Sequence, residues 1–163
     1  MSYKLKKPYT EDEKLNFIVE YNHIKGLLIK ETETALYALE AWEGVNQDGE
    51  VIDNKDAWEA EQIQKERERI AKLFLTGADV ERGIYQAKGM DFGDILAFVT
   101  ANPPQDLDVK ALKIELKANH FYRGNSYVNA VGALLGFTSE QLDKFFETND
   151  YTELIDKEVL ADA

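Results

Sequence analysis

The chain has 163 residues, no cysteine and a formal net charge of −12 at pH 7. The lack of cysteine excludes disulfides, thiolate zinc sites and cysteine nucleophiles. The negative charge opposes nonspecific nucleic-acid binding, because it repels phosphate backbones. A hydrophobic content of 44% predicts a folded core, in one domain or in one domain with a small appendage.

The sequence contains no long apolar run. The longest stretches, such as Gly26–Ile29, cover only a few residues, so we expect no segment that spans a membrane. The first residues include lysines but lack the apolar stretch of a signal peptide. We therefore expect a cytoplasmic protein, or a component that is assembled in the cytoplasm.

Residues 1–53 predict a small α+β lobe that starts with a helix. Thr10 followed by Glu13 forms a capping-box pattern, which opens a helix that runs to about His23. Apolar residues at helical spacing give this helix its expected core-facing stripe: Leu15, Ile18 and Val19.

The same lobe is completed by a predicted three-stranded antiparallel meander. Its strands are Leu27–Lys30, Ala35–Glu40 and the pair Val51-Ile52, which follows a hairpin-type turn at Asp48-Gly49. The segment Ala35–Glu40 also fits a helix.

Residues 54–75 predict a long polar helix. Ile63 and Ile70 lie seven residues apart with almost nothing apolar between them. A helix that is polar nearly all round is either a bridge between lobes or one strand of a coiled coil. We favour a bridging helix, because one heptad is too short for a self-sufficient coiled coil, and keep homodimerisation through this helix as the alternative.

Residues 76–150 predict a bundle of about five short helices, because capping residues and glycine or proline stops recur along this stretch. Residues 151–163 predict a frayed acidic tail with a short helix near Leu154–Val159. The whole chain is therefore predicted to be mostly α, and α+β overall. The expected bundle helices are 77–88, 91–101, a third from Asp106 or Asp108 to about Asn119, a fourth from Asn125 or Ser126 to Gly136, and a fifth from Thr138 to about Glu147.

No motif for catalysis, cofactor binding or metal binding stands out. Asp91-Phe92-Gly93 matches the kinase magnesium tripeptide, but the other kinase motifs are missing, so we interpret Asp91 as a helix cap. His23 and His120 have no metal-pair spacing, and a zinc site would need carboxylates from distant segments. We predict a non-enzymatic protein without cofactors, and rank hydrolysis by a carboxylate pair well below that.

Residues 110–127 are the one basic and aromatic stretch. Lys110, Lys113 and Lys117 share one helical face, and Arg123 follows. We interpret this stretch as an amphipathic bundle helix that ends in a corner, pinned by Phe121 and Tyr122. Direct nucleic-acid binding is not expected.

Two stretches resemble small proteins encoded in phage and prophage tail-gene clusters of anaerobic bacteria. The first stretch consists of KPYTEDEKLNFIVEYNH and the following GLLIKETETALYALEAWE. The second consists of LTGADVERGIYQAKGMDFGDI and DVKALKIELKANHFYRGNSYVNAVGALLGFTSEQLDKFF. The resemblance covers about residues 3–150. It implies a phage or prophage origin and a non-enzymatic, protein-binding role, in the host cytoplasm or associated with the virion.

Two functional hypotheses follow from this resemblance. In the first, the protein is a tail-module accessory or assembly component that binds a phage structural protein. In the second, it is an anti-defence inhibitor of the anti-CRISPR type, whose acidic surface blocks the nucleic-acid groove of a host RNA-guided nuclease. The residues predicted to bind the partner are acidic: Glu31, Glu33, Glu40, Glu43, Asp48, Glu50, Asp53, Glu147, Asp150 and Glu153.

Overall fold

The structure is a computed structural model that describes residues 2–156. Seven α-helices and three small antiparallel sheets form this part of the chain, which confirms the predicted α+β class with a mostly helical content. The chain divides into two units between Gln64 and Lys65, inside the helix predicted for residues 54–75.

The first unit contains five short strands and a capped helix. The helix α1 continues directly into a turn and a half of π-helix, residues 19–24. The elements are β1 (Tyr3–Lys6), α1 (Glu11–Ile18), the π-helix (Val19–Ile24), β2 (Leu28–Glu31), β3 (Ala35–Leu39), β4 (Glu43–Val45) and β5 (Val51–Asp53), followed by the start of α2 (Lys55–Ala71).

Strand β3 is the centre of this unit. It pairs antiparallel with β1 on one side and β2 on the other, and all five of its residues are buried. One face, with Leu36 and Ala38, packs against Phe17 and Leu27. The other face packs against Val45. Both faces are covered, which explains why this strand is continuously apolar instead of alternating.

The predicted meander is wrong in its third strand. The third strand of the sheet is β1, from the N-terminal segment, and β5 instead pairs with β4 in a separate hairpin. Tyr3 and Leu5 alternate with two lysines in β1, a period of two that suits a half-buried edge strand. The predicted Asp-Gly turn is confirmed, since Gly49 has a φ of 77°, and this turn joins β5 to β4.

The first helix begins as predicted and buries a different face. Thr10 accepts a hydrogen bond from the Glu13 amide, and the Glu13 carboxylate accepts one from the Thr10 amide, completing the capping box. Of the predicted core stripe, Ile18 is half-buried and packs against the core, whereas Leu15 and Val19 are exposed and Phe17 is the buried residue. Phe17 packs against Tyr21, with the ring centroids 4.6 Å apart.

Helix α2 ends at Ala71, earlier than the predicted Leu75. None of its 17 residues is buried. Residues 74–76 form a strand instead of extending the helix, and this places Leu75 in the core of the second unit. Tertiary pairing therefore overrides the local helical pattern at this end.

The second unit consists of five helices, a two-stranded ribbon and a final 3-10 turn. Its elements are β6 (Phe74–Thr76), α3 (Gly77–Lys88), α4 (Phe92–Ala101), α5 (Val109–Glu115), β7 (His120–Tyr122), α6 (Ser126–Leu134), α7 (Ser139–Thr148) and the 3-10 turn (Tyr151–Leu154).

Each of these five helices begins at a side chain that caps its first turn, as the sequence predicts. Gly89, with a φ of 71°, ends α3 in the left-handed conformation. Helix α5 ends at Glu115, before the predicted end near Asn119. Residues 120–122, which follow, pair as a strand. The capping residues are Thr76, Asp91, Asp108, Asn125 and Thr138.

The helices of this unit pack around one apolar core. A glycine allows two of them to approach closely, since a Cβ added to Gly83 in α3 would lie 2.4 Å from Cζ of Phe145 in α7. Phe145 is itself almost completely buried, so its ring is held by the neighbouring core side chains. The buried residues include Ile95, Val99, Leu112, Phe145 and Phe146.

The start of the predicted acidic tail is part of this core. Leu154, in the 3-10 turn, is 2% exposed and joins the same apolar cluster. The tail is therefore ordered up to this point, contrary to the frayed segment predicted from residue 151. Half of the short helix predicted near Leu154–Val159, residues 157–159, lies outside the described residues. Within residues 2–156, no helix is long and apolar enough to cross a membrane.

Candidate functional site

The β6–β7 ribbon separates an inner face from an outer face. The two strands pair antiparallel, with Phe74 opposite Tyr122, Leu75 opposite Phe121 and Thr76 opposite His120. Side chains alternate across a strand, so Leu75 and Phe121 point into the core while their neighbours point outward.

The outer face of the ribbon is aromatic and exposed. Phe74 is 53% exposed and Tyr122 is 54% exposed. The Phe74 ring lies 5.7 Å from the Tyr122 ring and 5.3 Å from the His120 ring, the second pair being edge-to-face. We call these three residues, Phe74, His120 and Tyr122, the aromatic face.

The pairing continues beyond the ribbon and brings a lysine to its end. The amide of Arg123 donates to the carbonyl of Leu73, and the amide of Gly124 donates to the carbonyl of Ala71. Lys72, one step before Leu73, is exposed. An exposed aromatic surface of this kind can bury ring area against a partner and accept a stacked side chain.

The local pattern gave two signals for this surface, and neither was decisive. Phe74, Phe121 and Tyr122 are aromatic and Thr76 is β-branched, and both residue types are typical of strands. The two triplets are about 45 residues apart in the chain, so their pairing was not visible locally. The local pattern therefore predicts Phe74 and Leu75 at the end of one helix, Thr76 as the cap of the next, and residues 120–122 in a corner.

The structure differs from the prediction both at the corner and in the basic stretch. Tyr122 is exposed and does not pin the chain, whereas Phe121 does. Lys110 and Lys113 are exposed on α5, but Lys117 lies beyond the end of this helix. Arg123 is 5% exposed and does not belong to a basic surface.

Arg123 instead connects three elements of the second unit. Its Nε lies 2.7 Å from Oδ1 of Asp143, an ion pair without hydrogen-bond alignment. Its other nitrogens donate to Oδ1 of Asn129 and to Oγ and the carbonyl of Ser139. These contacts link β7 to α6 and α7, and they occupy the guanidinium within the fold.

The predicted acidic residues lie on both units, and several already have partners. Glu31 accepts hydrogen bonds from Lys14 Nζ at 2.7 Å and from the Tyr9 hydroxyl at 2.6 Å, and lies 3.2 Å from Lys7 Nζ. The hydrogen bond from Lys14 has the largest effect, and the three contacts together lower the pKa of the Glu31 carboxyl to about 2. Its charge is therefore compensated within the unit.

In the hairpin region of the first unit, acidic side chains close local turns. The Glu40 amide donates to Oε2 of Glu43, and the Lys55 amide donates to Oδ1 of Asp53 at the start of α2. Glu50 accepts a hydrogen bond from the side-chain amide of Asn46.

Two acidic residues of the first unit point into solvent. Glu33 lies in the turn before β3, and Asp48 lies at the tip of the hairpin; both are exposed. Neither makes a side-chain hydrogen bond or an ion pair with any of residues 2–156.

The three predicted residues of the second unit are also engaged. Glu147 accepts a hydrogen bond from Arg69 at 2.7 Å. Asp150 caps the 3-10 turn by accepting from the Thr152 amide, and this hydrogen bond lowers its pKa. Glu153 is half-buried in that turn. The ten acidic residues therefore do not form one uncompensated surface, and their role in binding stays a prediction.

Other features of the described residues do not provide a site. The core of the second unit contains an apolar cavity of about 40 Å³, far below the ~300–1,000 Å³ of ligand pockets, so it suits a packing gap better than a ligand site. Residues 2–156 also contain no group of three or more histidine, aspartate or glutamate side chains placed to hold a metal ion.

No protein-family model, no curated protein and no solved structure matches this chain.

Proposed function

We propose that the chain is a non-enzymatic protein that acts by binding another protein, and that the aromatic face is its contact surface. The observation that carries this proposal is the exposure of the Phe74 ring together with the His120 and Tyr122 rings that it contacts, on a ribbon whose opposite face is buried. Tyrosine and phenylalanine are enriched at protein interfaces, and tyrosine also among the residues that contribute most of the binding energy.

The charge of the molecule favours a protein over a nucleic acid as the partner. The net charge is −12, and Arg123, the one arginine of the basic stretch, is paired with Asp143 inside the fold. Stacking on aromatic rings is also used for single-stranded nucleic acids, but there it is combined with a positively charged groove.

Within this class we propose a role as a tail-module accessory or assembly component, which rests on the resemblance of the sequence to proteins of phage tail-gene clusters. The alternative, an inhibitor of a host RNA-guided nuclease, relies on acidic contacts. Glu33 and Asp48 support it best, because both are exposed and have no side-chain partner within residues 2–156.

The test is binding by a variant without the two exposed rings of the ribbon. Phe74→Thr with Tyr122→Thr keeps residues that suit strands while removing the rings. Tyr85→Gln is the matched control, because Tyr85 is an exposed aromatic residue of the same unit, on α3. The tagged proteins are incubated with a lysate of the bacterium that carries the gene, and bound proteins are identified by mass spectrometry and re-tested in purified form.

We expect one partner to be retained by the wild type and by Tyr85→Gln and to be lost from the double variant, with at least a tenfold weaker Kd for the purified pair. A virion structural protein supports the tail role, and a nuclease supports the alternative. A partner that the double variant retains, or specific binding to single-stranded DNA that the double variant loses, contradicts the proposal.

A further inference from the structure

Helix α2 has an unusual surface for a helix of its length. None of its 17 residues is buried, and Ile63, its central residue, is 55% exposed. Most helices in proteins are stabilised by packing an apolar face, and the described residues provide no such packing for Ile63.

Ile63 lies between two opposite charges on the same face of the helix. Glu59 is one turn before it and Arg67 one turn after it, and residues four apart in an α-helix are neighbours on one face. Arg67 makes no hydrogen bond or ion pair with any of residues 2–156. Glu59 lies 3.8 Å from Lys55, at the long end of ion-pair distances.

We infer that α2 pairs with the α2 of a second copy of this chain, antiparallel, about a two-fold axis through Ile63. A two-fold contact uses the same patch on both copies, so the residue before the axis on one chain meets the residue after it on the other. Ile63 then packs on Ile63, and Glu59 of each copy meets Arg67 of the other.

The charges also select the direction of the pair. In a parallel pair in register, Glu59 would face Glu59 and Arg67 would face Arg67, and both contacts would be repulsive. The antiparallel arrangement converts them into two attractive contacts. One helix per chain is a small interface, below the ~1,200 Å² of stable complexes, so the dimer is weak and is favoured by high protein concentration and low salt.

The α2–α2 contact can form whether or not the aromatic face binds its partner. The contact lies on a different element, so the Phe74→Thr, Tyr122→Thr variant dimerises like the wild type whether or not it has lost its partner. Failure of one proposal can therefore be distinguished from failure of the other.

The test measures the dimer Kd by sedimentation equilibrium at low and high salt. Glu59→Arg alone and Arg67→Glu alone each create two like-charge contacts, and we expect each to weaken the dimer at least about tenfold. The double variant Glu59→Arg, Arg67→Glu exchanges the two charges and is expected to restore the wild-type Kd. Glu61→Lys, on the opposite face of α2, is the control and leaves the Kd within about twofold of the wild type after correction for net charge by the salt series.

A second measurement uses the absence of cysteine from the chain. A short bis-maleimide reagent should join two copies of Ile63→Cys efficiently, because these residues meet at the axis, and should join copies of Glu61→Cys poorly. A monomer at all concentrations, a dimer that Glu59→Arg does not weaken, or a double variant that stays monomeric overturns the inference.

Discussion

Nε of Arg123 lies 2.7 Å from Oδ1 of Asp143, so a guanidinium that is almost completely buried is neutralised by a carboxylate from helix α7. The two residues are 20 positions apart in the chain, and the contact joins the aromatic ribbon to the helices behind it. The same pairing removes the arginine from the basic stretch and holds in place the strand that carries His120 and Tyr122.

Asp143→Asn should destabilise the second unit by about 3 kcal/mol, because it leaves a buried guanidinium without its counter-charge. This value is at the low end of the range for buried pairs, since the Asp143 side chain is 32% exposed. The measurement is urea unfolding followed by far-UV circular dichroism. Lys144→Gln, next to it on α7, breaks an exposed pair with Glu140 and should have a much smaller effect. Equal losses of stability for the two variants would show that the buried Arg123 guanidinium does not require the Asp143 charge.

Gly83→Ala should destabilise the second unit by about 1–3 kcal/mol, although alanine favours helices more than glycine does. The added methyl group would lie 2.4 Å from Cζ of Phe145, whose ring is almost completely buried in the core. Thermal unfolding of the single variant measures the loss. Phe145→Leu shortens the obstructing side chain. It should therefore reduce the free energy of unfolding less in the Gly83→Ala background than in the wild type. Additive losses would rule out the close contact.

Leu154→Ala should destabilise the second unit by about 2–5 kcal/mol, because Leu154 is fully enclosed in the core. Leu134→Ala is the matched control, since Leu134 is 37% exposed on α6 and its truncation should cost less than about 1 kcal/mol. Amide hydrogen exchange along α3 and α7, which the 3-10 turn contacts, would report the loss locally. If Leu154→Ala loses no more stability than Leu134→Ala, the 3-10 turn does not pack against the core.

The first unit should lose stability in acid through Glu31. Its pKa is lowered from 4.5 to about 2 by the hydrogen bonds from Lys14, Tyr9 and Lys7. A carboxyl whose pKa is depressed by folding contributes stability above its unfolded pKa, and this contribution is lost as the pH falls from about 4.5 towards 2. The difference in stability between the wild type and Glu31→Gln should therefore be largest near neutral pH and should shrink through this window.

Tryptophan fluorescence reports this change in the first unit, because the two tryptophans of the chain, Trp42 and Trp58, both lie there, with their rings 5.9 Å apart. Urea unfolding of the wild type and Glu31→Gln is compared at pH 6, 4 and 3. Glu33→Gln is the control, since Glu33 has no side-chain partner within residues 2–156. A difference for Glu31→Gln that does not change between pH 6 and pH 3 would contradict the assignment of the shift.

The sequence by itself determined where the helices of the second unit begin. Thr76, Asp91 and Thr138 each accept a hydrogen bond from an amide three residues ahead, so the information for these caps lies within a single turn. The same applies to the capping box at Thr10 and to the left-handed glycine at Gly89. The mostly helical α+β class follows from these local signals.

Only the tertiary structure decided which segments pair as strands and which side chains are buried. The β6–β7 ribbon joins triplets about 45 residues apart, and β1 rather than β5 completes the first sheet. These choices depend on the apolar area that a segment can bury against distant partners, which no local pattern contains. They convert Phe74 and Tyr122 into an exposed aromatic pair and turn Arg123 inward, so the candidate site itself is a product of the tertiary fold.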